Sequence, residues 1–116
     1  MTVSLKNEVS VDKIEFTGDY QIFETVNGRP SWKGGDHGIW YVPIVNKWLI
    51  GYWNKFGEDD GEFYASNDYG SLTDNRNIWK YTADNGSWIT PSDSNDVIIS
   101  SSGGKESKWV HKKYQV

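Results

Sequence analysis

Cysteine is absent from this chain of 116 residues. A disulfide scaffold, a thiolate nucleophile and a zinc ribbon are therefore excluded, and stability must come from packing of aromatic and β-branched side chains. No cofactor is predicted. Long apolar runs are also missing, since none approaches the ~20 residues of a membrane-spanning helix. The first residues lack the charged and apolar regions of a signal peptide, so we expect a soluble protein without a membrane partner, and the cytoplasm is favoured.

An excess of basic residues is missing as well. The chain has 12 Lys and Arg against 16 Asp and Glu, a net charge of -4, which argues against attraction to phosphate backbones. The lysines of 105–116 are interleaved with Trp109 and Tyr114, a pattern typical of single-strand nucleic-acid contact. Because the overall charge is negative, a charged edge strand or tail is the preferred interpretation. We predict no nucleic-acid partner and leave the oligomeric state open.

Catalytic motifs are scarce. The only imidazoles belong to His37 and His111, and the sequence has no Gly-x-Ser-x-Gly elbow, phosphate-binding loop or His-Glu-x-x-His pattern. Nothing marks one carboxylate as buried and another as polar, as a glycosidase pair would require. We therefore predict that the protein is not an enzyme.

The sequence does contain a series of short β-strand patterns. Turn signals recur about every 8–12 residues, and no segment sustains the spacing of an amphipathic helix. The prediction is an all-β fold, a single antiparallel meander that closes as a small barrel or sandwich. One domain spans 1–104, and 105–116 forms a Lys-rich edge strand or tail. Strands are predicted at 11–16, 20–26, 31–33, 39–42, 47–53, 62–66, 78–82, 87–90 and 97–100.

Glycine marks the turns between these strands. Asn27-Gly28 and Asn85-Gly86 predict tight hairpins, because Asn and Gly tolerate the positive φ angles of such turns. The Gly-rich stretch 34–38 is predicted to be a flexible break, and 67–77 a long polar loop.

Aromatic residues are in excess, with 7 Trp, 7 Tyr and 4 Phe. Side chains alternate along a strand, so Trp48 and Tyr52 share one face while Leu49 and Trp53 share the other. The two faces of that strand therefore cannot both be solvent faces, and most rings are expected in the core. A core alone does not obviously use seven tryptophans, so we expect a few rings to be exposed beside turns. The candidates are Trp32, Trp53, Tyr69 and Trp88.

The stretch 57–74 is acidic and contains no basic residue. Oxygen-rich turns can bind calcium, so Asp59, Asp60 and Glu62 are candidate calcium ligands. Their spacing does not match an EF-hand loop, and an acidic turn is more often a solvated surface. We predict no metal site and no metal requirement for folding.

One pattern resembles a known kind of module. Its most specific parts are Asn-Gly-Arg-Pro at 27–30 followed by Trp32-Lys33, and Trp48-Leu-Ile-Gly about twenty residues later. Over residues 16–100 the chain resembles small Trp- and Tyr-rich β modules that are appended, sometimes repeatedly, to larger eukaryotic proteins. The resemblance implies an accessory module without catalytic residues, and it makes Arg29 a candidate binding position.

Together these features predict a non-catalytic binding module. Flat rings beside Asp, Asn and Lys suit sugars, whose axial hydrogens pack on π faces while their hydroxyls take hydrogen bonds. Glycan recognition is the first hypothesis, and a protein-interaction or self-assembly module is the alternative. The candidate ligand-binding residues are Trp32, Trp53, Tyr69, Trp88, Arg29, Asp36 and His37.

Overall fold

In a computed structural model, described at residues 1–6, 9, 11–66, 71–74, 76–93 and 96–101, the chain forms two antiparallel sheets. All of its described helices are short 3-10 turns, and none is long and apolar enough to cross a membrane. The strands are β1 (Thr2–Leu5), β2 (Gly18–Asp19), β3 (Gln21–Ile22), β4 (Trp32–Gly34), β5 (His37–Val42), β6 (Lys47–Tyr52), β7 (Phe63–Ser66), β8 (Lys80–Thr82), β9 (Trp88–Ile89) and β10 (Val97–Ser100).

The larger sheet is a meander of seven strands in the order β3 to β9. Its centre is the β5–β6 hairpin, in which Trp40 pairs with Leu49. The smaller sheet has the order β10-β1-β2. The all-β, antiparallel prediction is confirmed, whereas the described strands form two sheets and no closed barrel.

The first predicted strand is wrong, because Val11–Phe16 forms a 3-10 helix. In a strand, Ile14 and Phe16 would share a face, but Ile14 is exposed and Phe16 is buried with Lys13. Burial at positions three apart is the period of a 3-10 helix. The apolar residues of this segment therefore supply one buried ring, that of Phe16, and not a buried strand face.

The predicted turns agree with the structure better than the predicted strand ends do. Asn27 and Gly28 have φ angles of 54° and 82°, and Val26 bridges to Arg29, as expected for a tight turn. The supposedly flexible break at 34–38 is instead an ordered hairpin, in which Gly34 pairs with His37. Strand β1 was not predicted at all. Residues 67–70 and 105–116 lie outside the described residues.

The main core takes side chains from both sheets. Val3 and Ile99 come from the small sheet, and alternate residues of the large sheet, including Trp48, Ile50 and Phe63, meet them. We call this side of the large sheet the inner face. Trp48 and Leu49 are both buried, which confirms that the two faces of β6 are not both solvent faces and shows that each is covered at these positions.

The outer face of the large sheet has a small core of Trp40, Val42 and Leu49. The segment 53–61 folds over it, and Nε1 of Trp40 donates a hydrogen bond to the carbonyl of Glu58 at 2.8 Å. Gly51 permits this close approach, because a Cβ there would lie 3.0 Å from Cα of Gly61. The connection between β6 and β7 is therefore held against the sheet.

Candidate functional site

The loops at one end of the large sheet surround an open depression. Strand β5 begins at His37, opposite the last residue of β6, Tyr52, and β7 begins beside them at Phe63. The depression has a volume of about 550 Å3, which is within the range of small-molecule sites. Its lining residues are Asp36, Tyr52, Trp53, Asn54, Lys55, Asp60 and Glu62.

Tyr52 presents an exposed ring to this depression, with 40% of the residue accessible. The ring is supported by Phe16 and His37, at centroid distances of 5.2 and 5.6 Å. The hydroxyl donates to Oε2 of Glu15 at 3.3 Å. Partial burial, and then the negative charge of Glu15, raise the pKa of Tyr52, so the phenol stays a neutral hydrogen-bond donor at neutral pH.

His37 lies behind Tyr52 and does not line the depression. Nε2 of His37 donates to Oε1 of Glu15 at 3.0 Å, because an ionised carboxylate can only accept. The imidazole packs on Phe16 with a centroid distance of 4.2 Å. His37 was predicted to bind ligand, but its position makes it a support for the residues that line the depression.

Asp36 and Trp53 lie on adjacent loops at the rim. The backbone amide of Trp53 donates to the carbonyl of Asp36 at 2.7 Å, which joins the two loops. The Trp53 ring is half-buried, stacks on Phe56 at 4.3 Å, and has Nζ of Lys33 4.9 Å from its centroid. Trp53 therefore contributes to the wall of the depression, while Tyr52 offers the more exposed ring.

The acidic side chains of this region have cationic neighbours from other elements. Oε1 of Glu62 accepts from Nζ of the buried Lys13 at 2.9 Å and from Oγ1 of Thr82 at 3.0 Å. Nζ of Lys55 lies 3.7 Å from Asp60. Within the described ranges, no group of three His, Asp or Glu side chains is arranged to hold a metal ion.

Trp32, Arg29 and Trp88, which were also predicted as site residues, do not line the depression. Trp32 packs against the main core, with its ring 6.2 Å from that of Trp48. Arg29 covers the ring of Tyr41 at 4.2 Å. Trp88 is 42% exposed but belongs to the outer face. Tyr69 lies outside the described residues.

Sequence reasoning missed Tyr52, Glu15 and Lys13. The alternation along β6 placed Tyr52 on the same face as Trp48, and the signal that set it apart was its place at the end of the strand. Glu15 and Lys13 reach the site from the 3-10 helix, where a strand had been predicted.

A scan against protein-family models and searches of curated proteins and of solved structures found no match. The resemblance to appended Trp- and Tyr-rich modules stays a prediction.

Proposed function

We propose that the protein is a non-catalytic module that recognises saccharides at the depression around Tyr52. The observation that carries the proposal is one exposed phenol ring bordered by carboxylate and amide side chains. A pyranose ring packs its apolar face on such a ring, and its hydroxyls bond to the neighbouring oxygens and nitrogens. An accessory role beside other domains, as the sequence resemblance implies, is part of this proposal.

The charge of the lining side chains restricts the class of sugar that the depression can bind. Three carboxylates, those of Asp36, Asp60 and Glu62, line the depression with one lysine, Lys55. Glu62 and Asp60 have lysine partners, but the carboxylates still outnumber the lysines, and a concave site with a net negative charge repels anionic ligands. We therefore propose neutral sugars or amino sugars as ligands, and not uronic or sulfated sugars.

Isothermal titration of the full chain with neutral, amino and uronic oligosaccharides tests this function. Tyr52→Ala should weaken binding by about tenfold or more, because the stacking surface is lost. Trp88→Ala is the matched control, since it removes an exposed ring that does not line the depression. Absence of heat with all three sugar classes would overturn the proposal, as would equal effects of the two substitutions.

A protein-interaction module is the second candidate. It is favoured by β9, the edge strand of the large sheet, which carries the exposed Trp88. Unpaired backbone groups and an apolar ring on an edge strand are features that a partner strand uses. Concentration-dependent association measured by sedimentation, and lost in Trp88→Ala, would favour this candidate over saccharide binding.

A further inference from the structure

A second depression adjoins the first. It has a volume of about 350 Å3 and is lined by Asp12, Lys13, Thr82, Asp84 and Gly86, with Glu62 shared between the two depressions. Thr82 ends β8, and Asp84 and Gly86 belong to the turn before β9. Both depressions therefore lie at the same end of the large sheet.

The combined length is greater than a single sugar requires. Asp36 precedes the first residue of β5, and Thr82 is the last residue of β8. Three intervals between neighbouring strands separate β5 from β8. At about 4.8 Å an interval, the loops cross roughly 14 Å of the sheet end. One pyranose ring on Tyr52 would leave the second depression empty.

Glu62 forms the junction between the two depressions, and its position is fixed. The carboxylate is 26% exposed, and the buried Lys13 and the hydroxyl of Thr82 both donate to Oε1. Oε2 has no hydrogen-bond partner among the contacts of the described residues, so it is free to accept from a ligand. A carboxylate held in this way can bond to a hydroxyl or an amine that passes over the junction.

We propose that the two depressions form one groove and that its ligand is a linear oligosaccharide. This inference rests on the proposed function, because one sugar unit stacks on Tyr52 and the chain continues over Glu62 towards Thr82 and Asp84. None of the described residues that line the second depression is aromatic. It therefore adds hydrogen bonds and length, whereas Tyr52 supplies the stacking surface.

The charge of the second depression agrees with that of the first. Among the described residues that line it, Asp12, Glu62 and Asp84 stand against one lysine, Lys13, which contacts Asp12 at 3.8 Å and Glu62 at 2.9 Å. The whole groove therefore favours a chain of neutral or amino sugars along its length. Lys13 lines the second depression and also holds Glu62 at the junction.

Affinity measured against chain length tests the groove. The probes are two defined series, glucose oligomers and glucosamine oligomers, from the monosaccharide to the hexasaccharide, titrated into the full chain. We expect affinity for at least one series to rise with length and then to level off when the groove is filled. Asp84→Ala should weaken binding of the longest oligomers several-fold and leave binding of the shortest ones unchanged.

Glu24→Ala is the matched control, because it removes an exposed carboxylate that lines neither depression. Binding that depends on Tyr52 but is equal for all lengths would overturn the extended groove and leave the proposed function standing. Unchanged affinity of the Asp84→Ala protein for the hexasaccharide would likewise overturn the extended groove and leave the proposed function standing. If no oligomer of either series binds, the proposed function and this inference both fail.

Discussion

Strand β6 carries two kinds of aromatic residue on the same face. Trp48 is buried in the main core, and Tyr52, four residues later, is exposed at the end of the sheet. Both have ring neighbours: Trp48 contacts Tyr41 at 5.1 Å, and Tyr52 contacts Phe16 at 5.2 Å. In β6, therefore, the position of a ring along the strand, and not the face on which it lies, decides whether it stabilises the fold or is available to a ligand.

The two regions also differ in what surrounds the rings. In the main core the cover comes from apolar side chains of the small sheet, such as Val3 and Ile99. At the sheet end the ring of Phe16 is joined by polar side chains, and the carboxylates of Glu15 and Glu62 accept hydrogen bonds from side chains. The core therefore depends on buried apolar area, and the sheet end on a few fixed polar contacts.

The largest effect is expected in the core. Phe63 is fully buried and contacts the rings of Phe16 and Tyr81, so Phe63→Ala should reduce the free energy of unfolding by about 3–5 kcal/mol. Tyr52→Ala, at the exposed end, should cost about 1 kcal/mol or less. Urea unfolding followed by circular dichroism measures both. Similar losses in the two proteins would show that the core and the sheet end do not differ as described.

Glu62 should give an intermediate effect, because it belongs to the sheet end but holds a buried lysine. Glu62→Gln removes the charge that faces Lys13, whose side chain is 7% exposed, although Asp12 remains at 3.8 Å. Since the Glu62 side chain is partly exposed, we expect a loss of about 1–2 kcal/mol in the free energy of unfolding.

The same urea experiment measures this loss, with Tyr52→Phe as the control that alters a neighbouring polar group and keeps the ring. An unchanged unfolding midpoint in Glu62→Gln would mean that the Lys13–Glu62 pair does not fix the junction of the groove.

The smallest effect is expected at an ion pair outside both regions, between Arg76 and Asp74. Hydrogen bonds from the side chain and then the backbone amide of Arg76 hold the pKa of Asp74 at about 2, below its ordinary value of 3.8. A lowered pKa contributes stability above pH 4 that disappears as the pH falls towards 2. In Arg76→Ala the midpoint of Asp74, followed by carboxyl-carbon NMR, should move up towards 3.8. A midpoint near 4 in the unaltered chain would contradict the ion pair.

Much of the fold was predictable from local pattern. The density of β-branched and aromatic residues predicted the strands at 39–42 and 47–53, which pair as the central hairpin, and Asn27-Gly28 predicted a turn, because these signals depend only on neighbouring residues. The segment Val11–Phe16 was misread because three apolar residues in six fit either a strand or a 3-10 helix. Only tertiary packing decides between them.

The candidate site was less predictable because its contacts join distant parts of the chain. Lys13 and Glu62 are 49 residues apart, and Tyr52 and Glu15 are 37 apart. Aromatic residues beside turns were a reasonable choice, and Trp53 does line the depression. Whether a ring beside a turn is exposed depends on what folds over it, as Trp32 illustrates by packing on the core.

The most direct test of the central claim is a backbone amide NMR titration of the full chain with a glucosamine hexasaccharide and, in parallel, a glucose hexasaccharide. The claim is that the sheet end around Tyr52 binds saccharide while the opposite end does not. If saccharide binds there, the amide signals of Trp53, Glu62 and Asp84 should shift, and that of the exposed Ile44 in the β5–β6 turn should not. Shifts confined to that opposite turn or to the β9 edge, or no shifts with either sugar, would contradict it.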